Sequence, residues 1–416
     1  MDRVRQRPWR PVLDGALGER ARSVVDDVAA VPAGRWLEPR DAASLACGGG
    51  SILLDAYRAL VDPEGDAAER ALARLNAAIG VVASEELDAS LYGGFTGVAW
   101  MAQHLKGRLA VDGSGEVNEA IDEALIELLE RDAPWRTHFD LVSGLVGFGV
   151  YALERMPHPS GRRCLEGVVR RLGELAEPRA EGLAWRTTPG QRGPQTRQCT
   201  DAEYNLGVAH GVPGVIGLLA GAAAAGVETA RSLAAGAVSW LLAQRRSEGP
   251  SAFANFAYVE GGQPSRAGWC YGDPGIACTL LAAARVLREP TWEREALAIA
   301  YRAAVRPAGT SGVVDHGLCH GSAGLALLFH RLFDATGEEV LGEAARDWYR
   351  RALDGRKPGE DVAGYPARIA IGDQLGWRAD PGLLTGAAGV ALALLAGYST
   401  VEPAWDRVLL ASLPHP

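Results

Sequence analysis

One short motif recurs along this chain and narrows the folds open to it: Gly-x-x-Gly followed by an apolar, helix-forming run. It reads GGFTGVAW at Gly94 and Gly97, SGLVGFGVY at Gly144 and Gly147, and HGVPGVIGLL at Gly211 and Gly214. It returns as YGDPGIACTLL at Gly272 and Gly275, HGSAGLALLF at Gly321 and Gly324, and TGAAGVALALL at Gly386 and Gly389. A degenerate first copy, CGGGSILLDAY, has Gly48 in register and Ser51 in place of the second glycine, which makes seven copies. Successive first glycines lie 46 to 67 residues apart. Even the shortest interval holds two helices and their connections, the period of stacked supersecondary units.

Between the motifs lie amphipathic stretches such as VNEAIDEALIELLERD (117–132) and EREALAIAYRAAV (293–305), apolar at helical spacing and charged elsewhere. Each unit is therefore an outer amphipathic helix, a loop, and an inner apolar helix that opens at the glycines. Inner helices that are apolar on nearly all faces suit an enclosed barrel surrounded by a second one. The expectation is an all-α chain, an α/α toroid of seven helical-hairpin repeats forming one domain over 1–416, with loop insertions near 156–206 and 350–380. AWRTT (184–188) reads as a short strand; no other stretch alternates convincingly. The glycines report close backbone approach. They are no phosphate loop, because the Gly-Lys-Ser/Thr ending and the preceding strand are missing.

Apolar residues at 48% and charged residues at 22% allow a large core and exclude broad disorder. A net charge of -9 with no basic stripe argues against nucleic acid or an anionic membrane as a general partner. The uncharged runs 205–227 and 383–401 occupy equivalent points of the repeat, so they are expected to be inner helices and no transmembrane segment is expected. The N-terminal MDRVRQRPWRPVLDG lacks an apolar signal run, which points to a cytoplasmic protein with reduced thiols. In that setting cysteines of interest are metal ligands or nucleophiles.

The residue before the first glycine changes from copy to copy: Cys47, Gly93, Ser143, His210, Tyr271, His320, Thr385. Copies five and six also place Cys270 and Cys319 one position further back. Superposed repeats bring all of these to one end of the barrel, so that Cys270, Cys319, His320 and His210 converge. Two thiolates and one imidazole at helix N-termini are three protein ligands for zinc with a fourth position open, the catalytic arrangement. Cys47, Cys164, Cys199 and Cys278 lack such support and read as packing or surface residues. His316 and His330 are off register and read as structural.

AHGVPG, RAGWCYGDPG and LCHGSAG, in this order within a seven-copy helical repeat, resemble the lanthionine synthetase C family, the lantibiotic cyclases, over nearly the whole chain. The chain length resembles the stand-alone class I type, without a fused dehydratase. The resemblance implies zinc ligands at Cys270, Cys319 and His320, a catalytic histidine at His210, and further site residues at Tyr271, Arg266 and Asp140. It implies addition of a precursor-peptide cysteine thiolate to dehydroalanine or dehydrobutyrine, with a lanthipeptide dehydratase and an exporter as further partners. The family's small β-rich domain is not recognisable beyond the insertions. Two other readings stay open. One is a non-catalytic zinc protein of the same shape that binds glutathione or a partner peptide. The other is a glycan-cleaving toroid, which needs a pair of carboxylates and has only Asp140 and Asp273 to offer.

Overall fold

The computed structural model describes residues 8–32, 39–109, 118–188, 203–246, 254–371 and 374–412. Cys199 and much of the 156–206 insertion's polar end lie outside the described residues. The inner helices are α2 (Gly48–Val61), α4 (Phe95–Leu105), α6 (Leu145–Glu154), α8 (Val212–Ala224), α10 (Asp273–Leu287), α12 (Ser322–Thr336) and α14 (Ala387–Tyr398). The outer helices are α1 (Gly15–Ala29), α3 (Ala67–Ser84), α5 (Glu119–Glu130), α7 (Pro159–Leu175), α9 (Thr229–Ala243), α11 (Pro290–Ala304) and α13 (Glu339–Asp354). Each inner helix packs on the next, and α14 packs on α2, so the inner layer closes into a ring. The outer helix that opens the chain, α1, covers α14 and completes the last unit. The result is the α/α toroid expected from the repeat.

The two layers differ as their sequences require. Every residue of α14 from Ala387 to Gly397 is buried, whereas α3 buries only Ala67, Ala71, Leu75 and Ala78, a single stripe at helical spacing. The apolar runs 205–227 and 383–401 are thus core elements, and no helix among the described residues is long and apolar enough to cross a membrane. A 3-10 turn at Ala404–Leu409 closes the chain inside the barrel. Its Leu409 carbonyl accepts from Trp269 Nε1 at 2.7 Å, its Val408 carbonyl accepts from the Tyr92 hydroxyl at 2.7 Å, and Asp406 pairs with the buried Arg331 at 2.6 Å.

Among the described residues, six short strands depart from the expectation of almost no β structure. β1 (Glu177–Arg179) pairs with β2 (Gly182–Ala184), β3 (Arg186–Thr187) with β4 (Glu203–Tyr204), and β5 (Pro366–Ile371) with β6 (Gln374–Ala379), all antiparallel. Strand structure near 184–188 was legible. The hairpin at 366–379 was not, because a two-stranded ribbon with much of its surface exposed buries no clean face and leaves no alternation to read.

Inner helices all start at one end of the barrel, and the turns before them are laced together by backbone hydrogen bonds. The donor and acceptor pairs run Ala46 to Tyr92, Tyr92 to Val142, Leu141 to Ala209, Ala209 to Cys270, Cys270 to Cys319, Cys319 to Leu384, and Leu383 back to Ala46. All of these acceptors stand two residues before a first glycine, so the lacing is a closed circuit. The second glycine explains how each turn lies so flat on its helix. A Cβ at Gly324 or Gly389 would come within 3.0 Å of the carbonyl oxygen six residues earlier, Leu318 or Leu383, a separation that real side chains do not adopt.

Candidate metal centre

The candidate residues sit on four consecutive turns of this circuit. The bond from Leu141 N–H to the Ala209 carbonyl (3.2 Å) sets Asp140 beside His210. The next, Ala209 to Cys270 (3.4 Å), sets His210 beside Cys270 and Tyr271, and Cys270 to Cys319 (3.1 Å) places the two cysteines next to each other. Residues up to 180 positions apart in sequence thereby share one pocket.

Cys270, Cys319 and His320 present ligand atoms that all lie within 4.8 Å of one another, with Cys270 Sγ 3.9 Å from His320 Nδ1. Around a tetrahedral ion with sulfur at about 2.3 Å and nitrogen at about 2.0–2.1 Å, ligand atoms stand roughly 3.5–3.8 Å apart. The cluster is at that spacing within ordinary side-chain adjustment, so it could hold a metal ion, and its soft donors suit zinc. Among the described residues no second group of this kind is found. The thiols share one readily lost proton. A hydrogen bond from Cys319 holds the Cys270 pKa well below the usual thiol value against burial, helped by His320 and Arg266, while Cys319, facing that sulfur and buried, is pushed up. Burial opposes a charge on His320, but Asp315 and Cys270 outweigh it and push its pKa up to about 9. A cation binding here would displace that proton.

Asp315 was not singled out from the sequence, although a signal existed. Six residues before each first glycine, copies two to seven carry a polar residue: Asp88, His138, Asn205, Arg266, Asp315 and Asp380. In three of them the side chain accepts from the backbone N–H two residues on, at 2.7–2.9 Å, the usual work of an Asx turn. Asp315 does not do this. Its carboxylate, 1% exposed, receives no hydrogen bond of good geometry and stands 3.4 Å from His320 Nε2. It thus faces the imidazole nitrogen remote from the cysteines, where a carboxylate orients a ligating histidine and selects its tautomer.

His210 is the accessible group of the pocket. Its side chain is 28% exposed, and its Nδ1 lies 2.6 Å from Asp140 Oδ2. Asp140 raises the His210 pKa above its ordinary value even though burial pulls the other way. With Nδ1 committed to the carboxylate, Nε2 is the atom free to exchange a proton. Tyr271 lies with its ring centre 6.4 Å from that of His210, and its hydroxyl accepts from Asn205 Nδ2 at 2.8 Å. Burial pushes the Tyr271 pKa up, so the group stays a neutral phenol. Arg266 Nη2 is 3.6 Å from Cys270 Sγ, and its backbone N–H donates to the Tyr258 hydroxyl at 3.2 Å. The structure therefore brings together the seven site residues named from sequence, and adds Asp315, Asn205 and Tyr258 as their supports.

The remaining candidates fall outside the pocket. Asp273 spends its carboxylate on the Asn255 backbone N–H (2.8 Å) and side-chain amide (2.7 Å), while Asp140 holds His210. Neither is placed as one of two facing carboxylates, and the glycan-cleaving reading loses its support. Cys164 and Cys278 are core residues, the first with its pKa pushed up to about 12 by burial, and Cys47 is half-buried. His330 is buried against the Arg10 carbonyl (2.7 Å), and His316 bonds Ser322 Oγ (2.8 Å).

No curated protein sequence matches the chain. Among solved structures, a nisin cyclase superposes with a TM-score of 0.72 at 19% identity, over 94% of this chain and 97% of that one. At that identity the likeness speaks for the fold. A model of lanthionine synthetase C-like proteins matches residues 43–410, and this chain accordingly belongs to the lanthionine synthetase C-like family.

Proposed function

We propose that the chain is a zinc-dependent lanthipeptide cyclase that closes lanthionine and methyllanthionine rings. The substrate is a dehydrated precursor peptide supplied in the cytoplasm by a dehydratase, and an exporter takes the product onward. The observation that carries the reading is His210: the one catalytic-type base in the pocket, solvent-accessible, oriented by Asp140 at 2.6 Å, and standing on the turn next to the cysteine-bearing ones. Cys270, Cys319 and His320 would hold the zinc, which would supply a Lewis acid that favours a substrate thiolate over a thiol.

The chain's own groups account for the proton and charge movements. His210 Nε2 takes the proton of the peptide thiol, and the thiolate sulfur bonds to the β-carbon of the dehydroamino acid. The alkene electrons move to the α-carbon and its carbonyl oxygen as an enolate. Arg266 and the Tyr271 hydroxyl stabilise that oxygen, and protonated His210 returns its proton to the α-carbon, so the addition is redox-neutral and proton-balanced. Holding thiol and alkene in one pocket supplies the proximity that ring closure needs.

His210→Ala tests the reading. It is expected to keep the fold and the metal content and to lose ring formation by about 10²–10⁴-fold. The assay is thiol capping of a dehydrated, cysteine-containing precursor read by mass, since cyclised cysteines resist capping. A wild-type protein that closes no rings faster than buffer would hand the function to the binding-protein alternative, with glutathione or a partner peptide as ligand. A variant as fast as wild type would take the proton transfer away from His210.

A further inference from the structure

The β5–β6 hairpin rises from the metal-bearing face, beside the ligand turns. Its near stem starts at Tyr365, whose ring meets His316 edge-on at 5.8 Å, three residues before Cys319. Its far stem ends at Asp380, which caps the following turn through Gly382 N–H (2.7 Å) and Thr385, and that turn's Leu384 carbonyl accepts from the Cys319 N–H. The hairpin is therefore rooted on both sides of the turn that carries Cys319 and His320.

Its surface is unlike the rest of the molecule. Among the described residues, the exposed large hydrophobic side chains are Val305, Val314, Leu375 (56% exposed) and Trp377 (49% exposed). Val305 ends α11 at the metal face, because α11 runs antiparallel to α10, which starts there; Val314 is on the connection that leads to His316. Val305 and Val314 thus lie at the same end of the barrel as the hairpin's two stems. The strand residues also carry Arg368, whose guanidinium lies 5.5 Å from the Trp377 ring centre, and Arg378, with no carboxylate on either strand, in a chain of net charge -9.

Backbone geometry says which edge is available. Ile371 pairs with Gln374 across a two-residue connection, which makes 371/374, 369/376 and 367/378 the hydrogen-bonded pairs of the ribbon. The N–H and C=O groups of Leu375 and Trp377 then point away from β5. Pro366 removes a donor from the outer edge of β5 and blunts it, whereas the outer edge of β6 carries no proline. Among the described residues no third strand pairs with β6.

Resting on the cyclase reading, we propose that the outer edge of β6 takes up an extended, acidic segment of the substrate peptide as a third strand. Apolar side chains of the segment lie on Leu375 and Trp377, and carboxylates on the alternate face meet Arg378. Backbone pairing supplies affinity without a fixed sequence, and the alternating face supplies selectivity. The docked strand would deliver a neighbouring cysteine to the adjacent metal-ligand turn.

The probe is a fluorescein-labelled synthetic peptide of eight alternating valines and aspartates, followed by three glycines and a serine. It contains no cysteine, so docking is read apart from the metal centre, by fluorescence anisotropy on the metal-loaded protein. Leu375→Lys with Trp377→Lys is expected to weaken binding by at least about tenfold, as is N-methylation of alternate peptide amides or replacement of its aspartates by lysines. Both replaced side chains are exposed, so melting temperature and metal content should match wild type, which guards against misfolding. Absent binding by wild type, or equal binding by the double variant or by the N-methylated peptide, overturns the proposal. If peptide docks but no rings ever form, the cyclase reading alone falls. If rings form and the double variant leaves KM for the dehydrated precursor unchanged, the docking site alone falls.

Discussion

Asp140→Asn separates the orientation of His210 from its mere presence. In the wild type both Asp140 oxygens are engaged: Oδ1 accepts from the Ser143 N–H at 2.8 Å, and Oδ2 faces His210 Nδ1 at 2.6 Å. Asparagine keeps only one oxygen. Turning it toward His210 would set two donors against each other at Ser143 and strand a turn N–H, a cost of about 1–3 kcal/mol. The oxygen therefore stays on Ser143, and the amide N–H group is left facing Nδ1. His210 must then accept through Nδ1 and carry its proton on Nε2, the atom that has to take the proton from the thiol. Losing a positioned base costs about 10²–10⁴-fold in rate, or roughly 2.7–5.5 kcal/mol of barrier.

The pH profile adds a second readout. A base works when neutral, so the wild-type rate should climb as pH rises through the His210 pKa, which Asp140 holds above the ordinary histidine value. Without the carboxylate, burial favours the neutral ring and only Cys270 still opposes it, so the inflection should move to lower pH while the plateau falls. The measurement is the thiol-capping rate from pH 5 to 9 on protein of verified metal content. A variant within about threefold of wild type, with an unmoved inflection, would refute the orientation argument.

Cys319→Ala should lose most of about one equivalent of zinc per chain by metal analysis, while Cys164→Ala retains it, and full zinc in Cys319→Ala would dismiss the centre. Asp315→Asn should retain the fold and weaken zinc affinity by about 10–100-fold in a chelator competition, because an amide orients His320 less firmly than a carboxylate. Gly389→Ala should destabilise by about 3 kcal/mol or more, since its Cβ overlaps the Leu383 carbonyl, whereas Gly80→Ala, with open space around it in α3, should stabilise by about 0.5–1 kcal/mol in denaturant melts.

The architecture was legible because a closed ring repeats its demands. Each copy needs a glycine wherever a turn carbonyl presses on the helix, and each inner helix needs an apolar surface all round. The same register lines up Cys270, Cys319, His320 and His210 in the sequence itself. At Ser51, where the second glycine is missing, the hydroxyl bonds back to the Gly48 carbonyl at 2.9 Å. Asp315 escaped notice because a polar residue six before the glycine is common to copies two to seven, and only its geometry shows that this one has left turn duty. The hairpin escaped because β6 is largely exposed and β5 only partly covered, so hydrophobic patterning imposes little on it.

The circuit of turns is made of main-chain groups alone, so it is indifferent to which side chains ride on it. The two positions before each first glycine are seven interchangeable seats around one axis, and this chain fills three neighbouring ones with its reactive residues. Cys47, alone in its seat on the far side of Thr385, shows that a thiol is tolerated elsewhere on the rim. Chemistry could therefore migrate around such a ring by side-chain substitutions alone, with no new backbone, and its occupied sector would be a record of descent more than a requirement of the fold.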